Sequence, residues 1–178
     1  MKICAKNLII TSLMVALGFV LPSLFHLIAA GPVMLPMHIP VLITGLVCGS
    51  AYGTLCGVLL PILSCILTGM PTLFPTAISM TLELCAYGFL TGLCFQELSW
   101  RLYPSMITAM LAGRVASGIA NTFLYGMTSQ SYSLQMFIGT AFVTALPGIT
   151  IQLVLIPAIV AALIKAKLID KPIARSSI

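Results

Sequence analysis

Long apolar stretches separated by short turns are the feature of this sequence that most restricts its fold. A transmembrane helix needs about 20 apolar residues to cross the hydrocarbon core. Charged residues make up only 6% of the 178 residues, against about 25% in a soluble domain. The sequence therefore predicts an all-α integral membrane protein, a compact bundle of six transmembrane helices that forms a single membrane domain over residues 1–178. Gly, Pro and Ser residues between the apolar runs are taken as span boundaries. The predicted spans are then 7–30, 37–49, 51–68, 74–98, 103–126 and 135–166.

The second stretch is shorter than a full span and is separated from the third only by GSAYG, so the number of helices needs independent support. Lys and Arg near span ends collect on the cytoplasmic side of a membrane. With six spans and a cytoplasmic N-terminus, seven of the eight Lys and Arg residues fall inside, and the outer loops contain none. Merging the two stretches would place Arg101 on the opposite face from the N-terminus. The charges thus predict six spans with both termini cytoplasmic, and the net charge of +5 gives no support to nucleic-acid binding.

Small residues recur at helical spacing in the first three spans. Ser12 and Ala16 form such a pair on the first span, and this spacing lets helix backbones approach closely. They serve either packing within the bundle or docking of another membrane subunit. A longer series consists of Gly45, Gly49, Gly53 and Gly57. Two of its members, Gly49 and Gly53, flank the predicted turn, so only part of the series can form a helix face.

Of the Asp, Glu, Lys and Arg side chains, only two lie deep within the predicted spans, Glu83 in the fourth and Arg114 in the fifth. Each costs about 2.5 to 3.5 kcal/mol at the centre of a membrane helix, so each should face the bundle interior and have a partner. Counted from the outer ends of their spans, Glu83 is tenth and Arg114 thirteenth, which allows a similar depth. The pair either locks two helices together or binds a ligand anion, because a guanidinium offers two parallel donors to a carboxylate. A pair that opens to admit a ligand would do both.

Weaker candidates surround this pair. His26 and His38 lie near the outer ends of the first two spans, where a histidine is more often a core residue than a ligand contact. Asn121 and Gln152 are expected to hydrogen-bond between helices, with cavity lining as the alternative. The outer segment GMPTL and its continuation FPT, which ends at Thr76, is apolar and bent by two prolines. This segment is suited to cover a pocket.

Motifs of catalysis and metal binding are missing from the sequence. There is no GxxxxGK[ST] phosphate loop, so the chain is not expected to hydrolyse ATP. No nucleophilic arrangement and no HExxH spacing is present, and the six cysteines lie mostly in apolar runs without a CxxC pair. We therefore expect no enzyme activity, no metal and no cofactor. The spans also show no internal repeat of the kind common in alternating-access carriers, so a transport role would require partner proteins.

The run LPMHIPVLITGLVCGSAYGTLCGVLLPILSCILTG, with six spans and basic segments at both ends, resembles the substrate-binding S components of energy-coupling factor (ECF) vitamin transporters. The similarity covers nearly the whole chain. It implies a multi-pass protein of the prokaryotic plasma membrane that binds a vitamin near its outer face. It also implies association with a transmembrane coupling subunit (the T component) and two cytoplasmic ATPases, and toppling in the membrane to deliver the cargo. In many members an AxxxA pattern on the first span is the docking surface, and the matching positions here are Ser12 and Ala16.

The stretches MHIPVL and LTGMPTLFP resemble members assigned to niacin. On this resemblance Arg114 would bind the nicotinate carboxylate, Glu83 would orient or screen the arginine, and His38 or Tyr87 would touch the ring. Pantothenate, which also has a carboxylate, and pyridoxine are the alternative cargoes. A structural or assembly membrane protein and a stand-alone channel or carrier are alternatives of other classes. The expected substrate-binding residues are Arg114, Glu83, His38, Tyr87, Asn121 and Thr76.

Overall fold

The computed structural model describes residues 5–27, 35–127, 139 and 145–165, and only the backbone of residues 23–27. The described part is all-α and contains no strand, which confirms the predicted fold class. Two short π-helical turns, Leu73–Ala77 and Leu93–Glu97, lead into and out of the fourth helix. The helices are α1 (Ala5–Leu27), α2 (His38–Cys48), α3 (Ser50–Thr68), α4 (Ile78–Gly92), α5 (Leu102–Gly126) and α6 (Leu146–Lys165).

Five of these helices are long and apolar enough to cross a membrane, when α4 is taken with its two flanking turns. The predicted spans match them closely where both are described. The last residues of the first predicted span, 28–30, and the first of the sixth, 135–144 apart from residue 139, lie outside the described residues. The sidedness of the bundle stays a prediction from the charge pattern.

Helix α2 is the short element that the sequence singled out. Its 11 residues span about 16 Å, too little to cross the hydrocarbon core alone. Ten of the 11 are buried, because α2 packs against α1, α3, α4 and α6. This is why the segment is apolar on every side: other helices of the bundle enclose it along almost its whole length.

A single residue, Gly49, separates α2 from α3. Its φ of +94° lies in the left-handed region, which glycine adopts without steric cost. The two stretches are therefore separate helices, as the charge pattern predicted. The rest of the glycine series packs on α4: a Cβ at Gly45 would lie 2.7 Å from the Gly88 carbonyl oxygen, and Gly53 and Gly57 also face the α4 backbone. The prediction that only part of the series forms a helix face is confirmed.

Helix α1 packs on α2 and α3, and its opposite face is exposed at Leu8, Leu13 and Val20. Ser12 and Ala16 both lie on this exposed face. The Ser12 hydroxyl donates to the Leu8 carbonyl 2.9 Å away, within its own helix. Gly18, not the predicted pair, is the small residue of α1 that allows close packing, since it lies against Leu60 of α3. The Ser12–Ala16 pair thus does not serve packing within the described part of the bundle.

Candidate functional site

Helices α2, α4 and α5 bring four of the predicted site residues into one cluster. His38 begins α2, Glu83 and Tyr87 lie one turn apart on α4, and Arg114 lies in the middle of α5. Each side chain is at least nine-tenths buried, with exposed fractions of 1% for His38, 5% for Glu83 and 8% for Arg114. A polar cluster this deeply buried is stable only when its members are paired with one another or with a ligand.

The Glu83 carboxylate is the centre of the cluster. Its Oε1 atom lies 2.9 Å from Arg114 Nη1 and 3.3 Å from His38 Nε2. An ionised carboxylate only accepts hydrogen bonds, so His38 must carry a proton on Nε2 in this arrangement. Ser117, on the same face of α5 as Arg114, also interacts with the carboxyl group. Glu83 therefore holds both the arginine and the histidine in place.

Tyr87 forms the wall of the cluster beside His38. The two rings meet edge to face, with centroids 5.2 Å apart and planes at 63°, a favoured geometry for aromatic pairs. The Tyr87 phenol also interacts with Glu83 and Arg114. Gly113 makes room for this ring, because a Cβ there would overlap the ring atoms. The glycine directly before the buried arginine is thus explained by the tyrosine that faces it.

Three buried nitrogen atoms of the cluster have no hydrogen-bond partner among the described residues: Nε and Nη2 of Arg114, and Nδ1 of His38. Because Nη1 is used by Glu83, the Arg114 atoms left over are the two that lie side by side along one edge of the guanidinium. That edge presents two parallel N–H donors, the pattern that binds a carboxylate through both oxygens. Most buried polar groups in folded proteins are paired, so these unpaired atoms make the cluster a candidate ligand site.

The structure does not place Thr76 and Asn121 in the cluster. Thr76 is exposed in the turn before α4, where it accepts a hydrogen bond from the Thr72 hydroxyl 3.3 Å away. It lies seven residues before Glu83, and Asn121 lies seven residues after Arg114. Seven residues are two helical turns, or about 10 Å. Both positions therefore lie about two turns from the cluster, in the direction of the predicted outer face.

The hydrogen-bond partner of Gln152 is not on another helix, as had been expected, but in the segment before α2. This fully buried side chain donates from Nε2 to the Leu35 carbonyl, 3.4 Å away, in the segment before α2. The His38 backbone N–H donates to the same oxygen at 3.1 Å. Leu35 has a φ of +47°, which is unfavourable for a leucine. Gln152 thus anchors the turn that sets the position of His38.

Other predictions meet the structure only in part. The side chain of His26 lies outside the described residues. Among the residues that the structure describes, no group of three His, Cys, Asp or Glu side chains could hold a metal ion. Sequence reasoning missed Gly113 and Ser117 as parts of the cluster. The signal for Ser117 was its spacing of three from Arg114, which places both on one helix face.

The chain matches the model of a known family. The model of a family described as "ECF transporter, substrate-specific component" matches residues 6–169. No curated protein and no solved structure matches the chain. The match covers nearly all of the sequence, including every residue of the cluster and the exposed face of α1.

Proposed function

Because the chain belongs to the family of ECF transporter substrate-specific components, we propose that its buried cluster captures a small carboxylate-bearing vitamin, nicotinate, for import. The protein is the substrate-binding subunit and not an enzyme, as the family implies. The coupling subunit and the two ATPases that use ATP belong to the same proposal. Family membership favours this role over that of an assembly protein or a channel that works alone.

One observation carries the choice of a carboxylate. Only 8% of the Arg114 surface is exposed, yet two of its donor atoms have no partner among the described residues. A pure helix lock would use the donors it buries, because an unpaired buried donor costs about 1 to 3 kcal/mol. Here Glu83 takes only one nitrogen and leaves the bidentate edge unused. This geometry supports a ligand that supplies the second carboxylate.

The surroundings of the edge support a small aromatic acid. His38 and Tyr87 form an aromatic pair beside the arginine, and a pyridine ring can pack on such a surface. Nicotinate has a carboxylate directly on a pyridine ring. Its amide has the same ring without the charge, and pyridoxine has no carboxylate. Pantothenate has the carboxylate without the ring. Comparison of the four compounds therefore separates recognition of the carboxylate from recognition of the ring.

Thermal unfolding of the purified protein in detergent, with each of these four compounds, tests the proposal. A ligand at 100 times its dissociation constant stabilises the folded state by about 2.7 kcal/mol. We expect a large shift with nicotinate and little or none with nicotinamide or pyridoxine. A shift of the unfolding temperature with pantothenate alone would support carboxylate binding by Arg114 but identify pantothenate, not nicotinate, as the cargo. No shift with any of the four would contradict the proposal.

An arginine-to-lysine exchange at position 114 separates bidentate binding of the ligand carboxylate from the effect of the positive charge alone. Arg114→Lys keeps the positive charge beside Glu83 but removes the bidentate edge. We expect nicotinate affinity to fall at least tenfold. The matched control is Arg101→Lys, because Arg101 is exposed at the start of α5. Equal nicotinate binding by wild type and Arg114→Lys would remove the carboxylate role from this residue.

The exposed face of α1 is the proposed docking surface for the coupling subunit. Ser12 and Ala16 are exposed, and small residues of this spacing let a partner helix approach closely. The substitution Ser12→Leu should reduce co-purification with the coupling subunit and leave ligand-induced stabilisation unchanged. Val115→Leu, on the exposed face of α5, is the control. Co-purification that is equal for Ser12→Leu and the control would exclude this surface.

A further inference from the structure

The charges of the described cluster cancel before any ligand binds. Glu83 and Arg114 form an ion pair of zero net charge, with the carboxylate oxygen 2.9 Å from the guanidinium. The sequence of segments 28–34, 128–138 and 140–144 contains no Asp, Glu, Lys, Arg or His that could add to this balance. A ligand carboxylate bound at the free Arg114 edge therefore brings a net negative charge into a buried site. An unbalanced buried charge is costly, and such groups change protonation instead.

We propose that the cluster binds its carboxylate ligand together with one proton, which is taken up by His38. This inference rests on the proposed function. Histidine is the side chain whose unperturbed charge change falls near neutral pH. His38 already uses its Nε2 proton toward Glu83, so the added proton goes to Nδ1. Two positive groups, His38 and Arg114, then balance two negative ones, Glu83 and the ligand.

The same proton gives the site a second means of selecting its ligand. Nδ1 of His38 is buried and has no partner among the described residues. Once protonated, it becomes a hydrogen-bond donor and favours a ligand that has an acceptor in addition to its carboxylate. Nicotinate has such an acceptor in its ring nitrogen. Benzoate has the same ring size and carboxylate without it, and is therefore the matched probe.

The other ionisable groups near α2 leave His38 as the site of this proton. Glu83 and Tyr87 face it from α4, with Arg114 behind them on α5. On α1, His26 is the second histidine of the chain, and its side chain lies outside the described residues. Cys48 lies on α2 itself, ten residues from His38. Besides the uncharged Gln152, the other elements that pack on α2 contribute titratable groups at other positions along the helices: Lys6, Tyr52, Cys56, Cys65, Cys85, Cys94, Glu97 and Lys165.

Calorimetric titration of the full-length protein with nicotinate, in buffers of different ionisation enthalpy from about pH 6 to about pH 8, measures the proton directly. Over this range nicotinate is a monoanion. We expect uptake of about one proton per ligand near the upper end of this range. Because the bound state holds the extra proton, affinity falls as pH rises, by up to about tenfold per pH unit, and levels off at low pH. Benzoate should bind at least about tenfold more weakly than nicotinate.

Two variants assign the proton. In His38→Gln, an amide nitrogen can replace Nε2 as donor to Glu83, but the side chain no longer titrates. We expect no proton uptake, a pH-independent affinity and no preference for nicotinate over benzoate. His26→Gln should behave as wild type. If His38→Gln does not fold, nitrogen NMR of the two histidines in the wild-type protein gives the same readout, because nicotinate should convert one imidazole to its protonated form.

The outcomes separate this inference from the function on which it rests. Nicotinate binding without proton uptake overturns the inference and leaves the cargo intact. Uptake that persists in His38→Gln, or that disappears in His26→Gln, overturns the assignment to His38. Failure of nicotinate, benzoate and pantothenate to bind at any pH overturns both the inference and the proposed function.

Discussion

Helix α4 has two faces that use opposite ways of packing. The ridge of Leu84 and Gly88 faces α3, where the backbone of one helix lies directly on the backbone of the other. The neighbouring ridge of Glu83 and Tyr87 faces α2 and α5, where charged and aromatic side chains meet. The two ridges are offset by a single residue along the same helix.

The comparison shows how a small bundle divides structure from function. On the α3 face glycines such as Gly53 allow close contact, and van der Waals packing of this kind is one of the forces that drive helix association in a bilayer. Among the described residues, that face buries no charged side chain; its polar contacts are like the one from the Cys85 thiol to the Thr54 carbonyl. On the other face, Arg114 and His38 keep unpaired nitrogen atoms in the described cluster. The rigid face positions α4, and the polar face carries the proposed ligand site.

The strongest test of the rigid face is Gly88→Val. A Cβ at this position would overlap the Gly53 carbonyl group, and backbone cannot move aside as a flexible side chain does. We expect a loss of about 3 kcal/mol or more in the free energy of unfolding, or no folded protein. Gly126→Val is the control, because among the described residues nothing outside its own helical turn lies within 4 Å of a Cβ there. Unfolding in detergent measures both, and equal stability would show that α3 and α4 can separate.

On the polar face, Arg114→Leu should cost almost as much. The change leaves the buried Glu83 without its cation, and breaking a buried ion pair in this way costs about 3 to 5 kcal/mol. The double variant Glu83→Leu with Arg114→Leu removes both charges and should recover most of that stability while nicotinate binding stays absent. A double variant less stable than Arg114→Leu would mean that the pair contributes net stability, and the cluster would then resemble a helix lock.

Tyr87→Phe is a smaller test of the same face. It removes only the phenol oxygen, which interacts with Glu83 and Arg114, and keeps the ring against His38. We expect a loss of about 1 kcal/mol in unfolding free energy. Tyr103→Phe, at an exposed tyrosine of α5, should be neutral. A loss as large as that of Arg114→Leu would show that the phenol is an essential partner of the ion pair.

The smallest effect is expected for Gln152→Met, which tests how α6 supports the polar face. Methionine has a similar length but cannot donate to the Leu35 carbonyl. Side-chain hydrogen bonds between membrane helices contribute about 0.6 kcal/mol on average, so unfolding should change little. Chemical shifts of His38 should move nonetheless, because the anchor of its turn is lost. Unchanged shifts would show that α2 is positioned by packing alone.

Much of the site could be predicted from the cost of placing charges in a membrane. Glu83 and Arg114 lie at similar distances from the outer ends of their spans, and their pairing follows from that cost. His38 was expected in the site, but its contact with Glu83 could not be predicted, because the two residues are 45 positions apart along the chain and meet only where α2 packs on α4. Thr76 is the opposite case. It was expected in the site because its segment was expected to cover a pocket, yet its side chain is exposed about two helical turns from Glu83.

What the sequence by itself determined is the number of helices, their apolar character and the need for a buried partner for each deep charge. These properties follow from local composition, since the bilayer penalises each exposed polar group one residue at a time. Only the tertiary structure decided that Gly88 meets Gly53 and that Glu83 uses one nitrogen of Arg114, while Nε and Nη2 have no partner among the described residues. Those facts depend on the rotation of each helix about its axis, which is set by the packing of side chains from several helices at once.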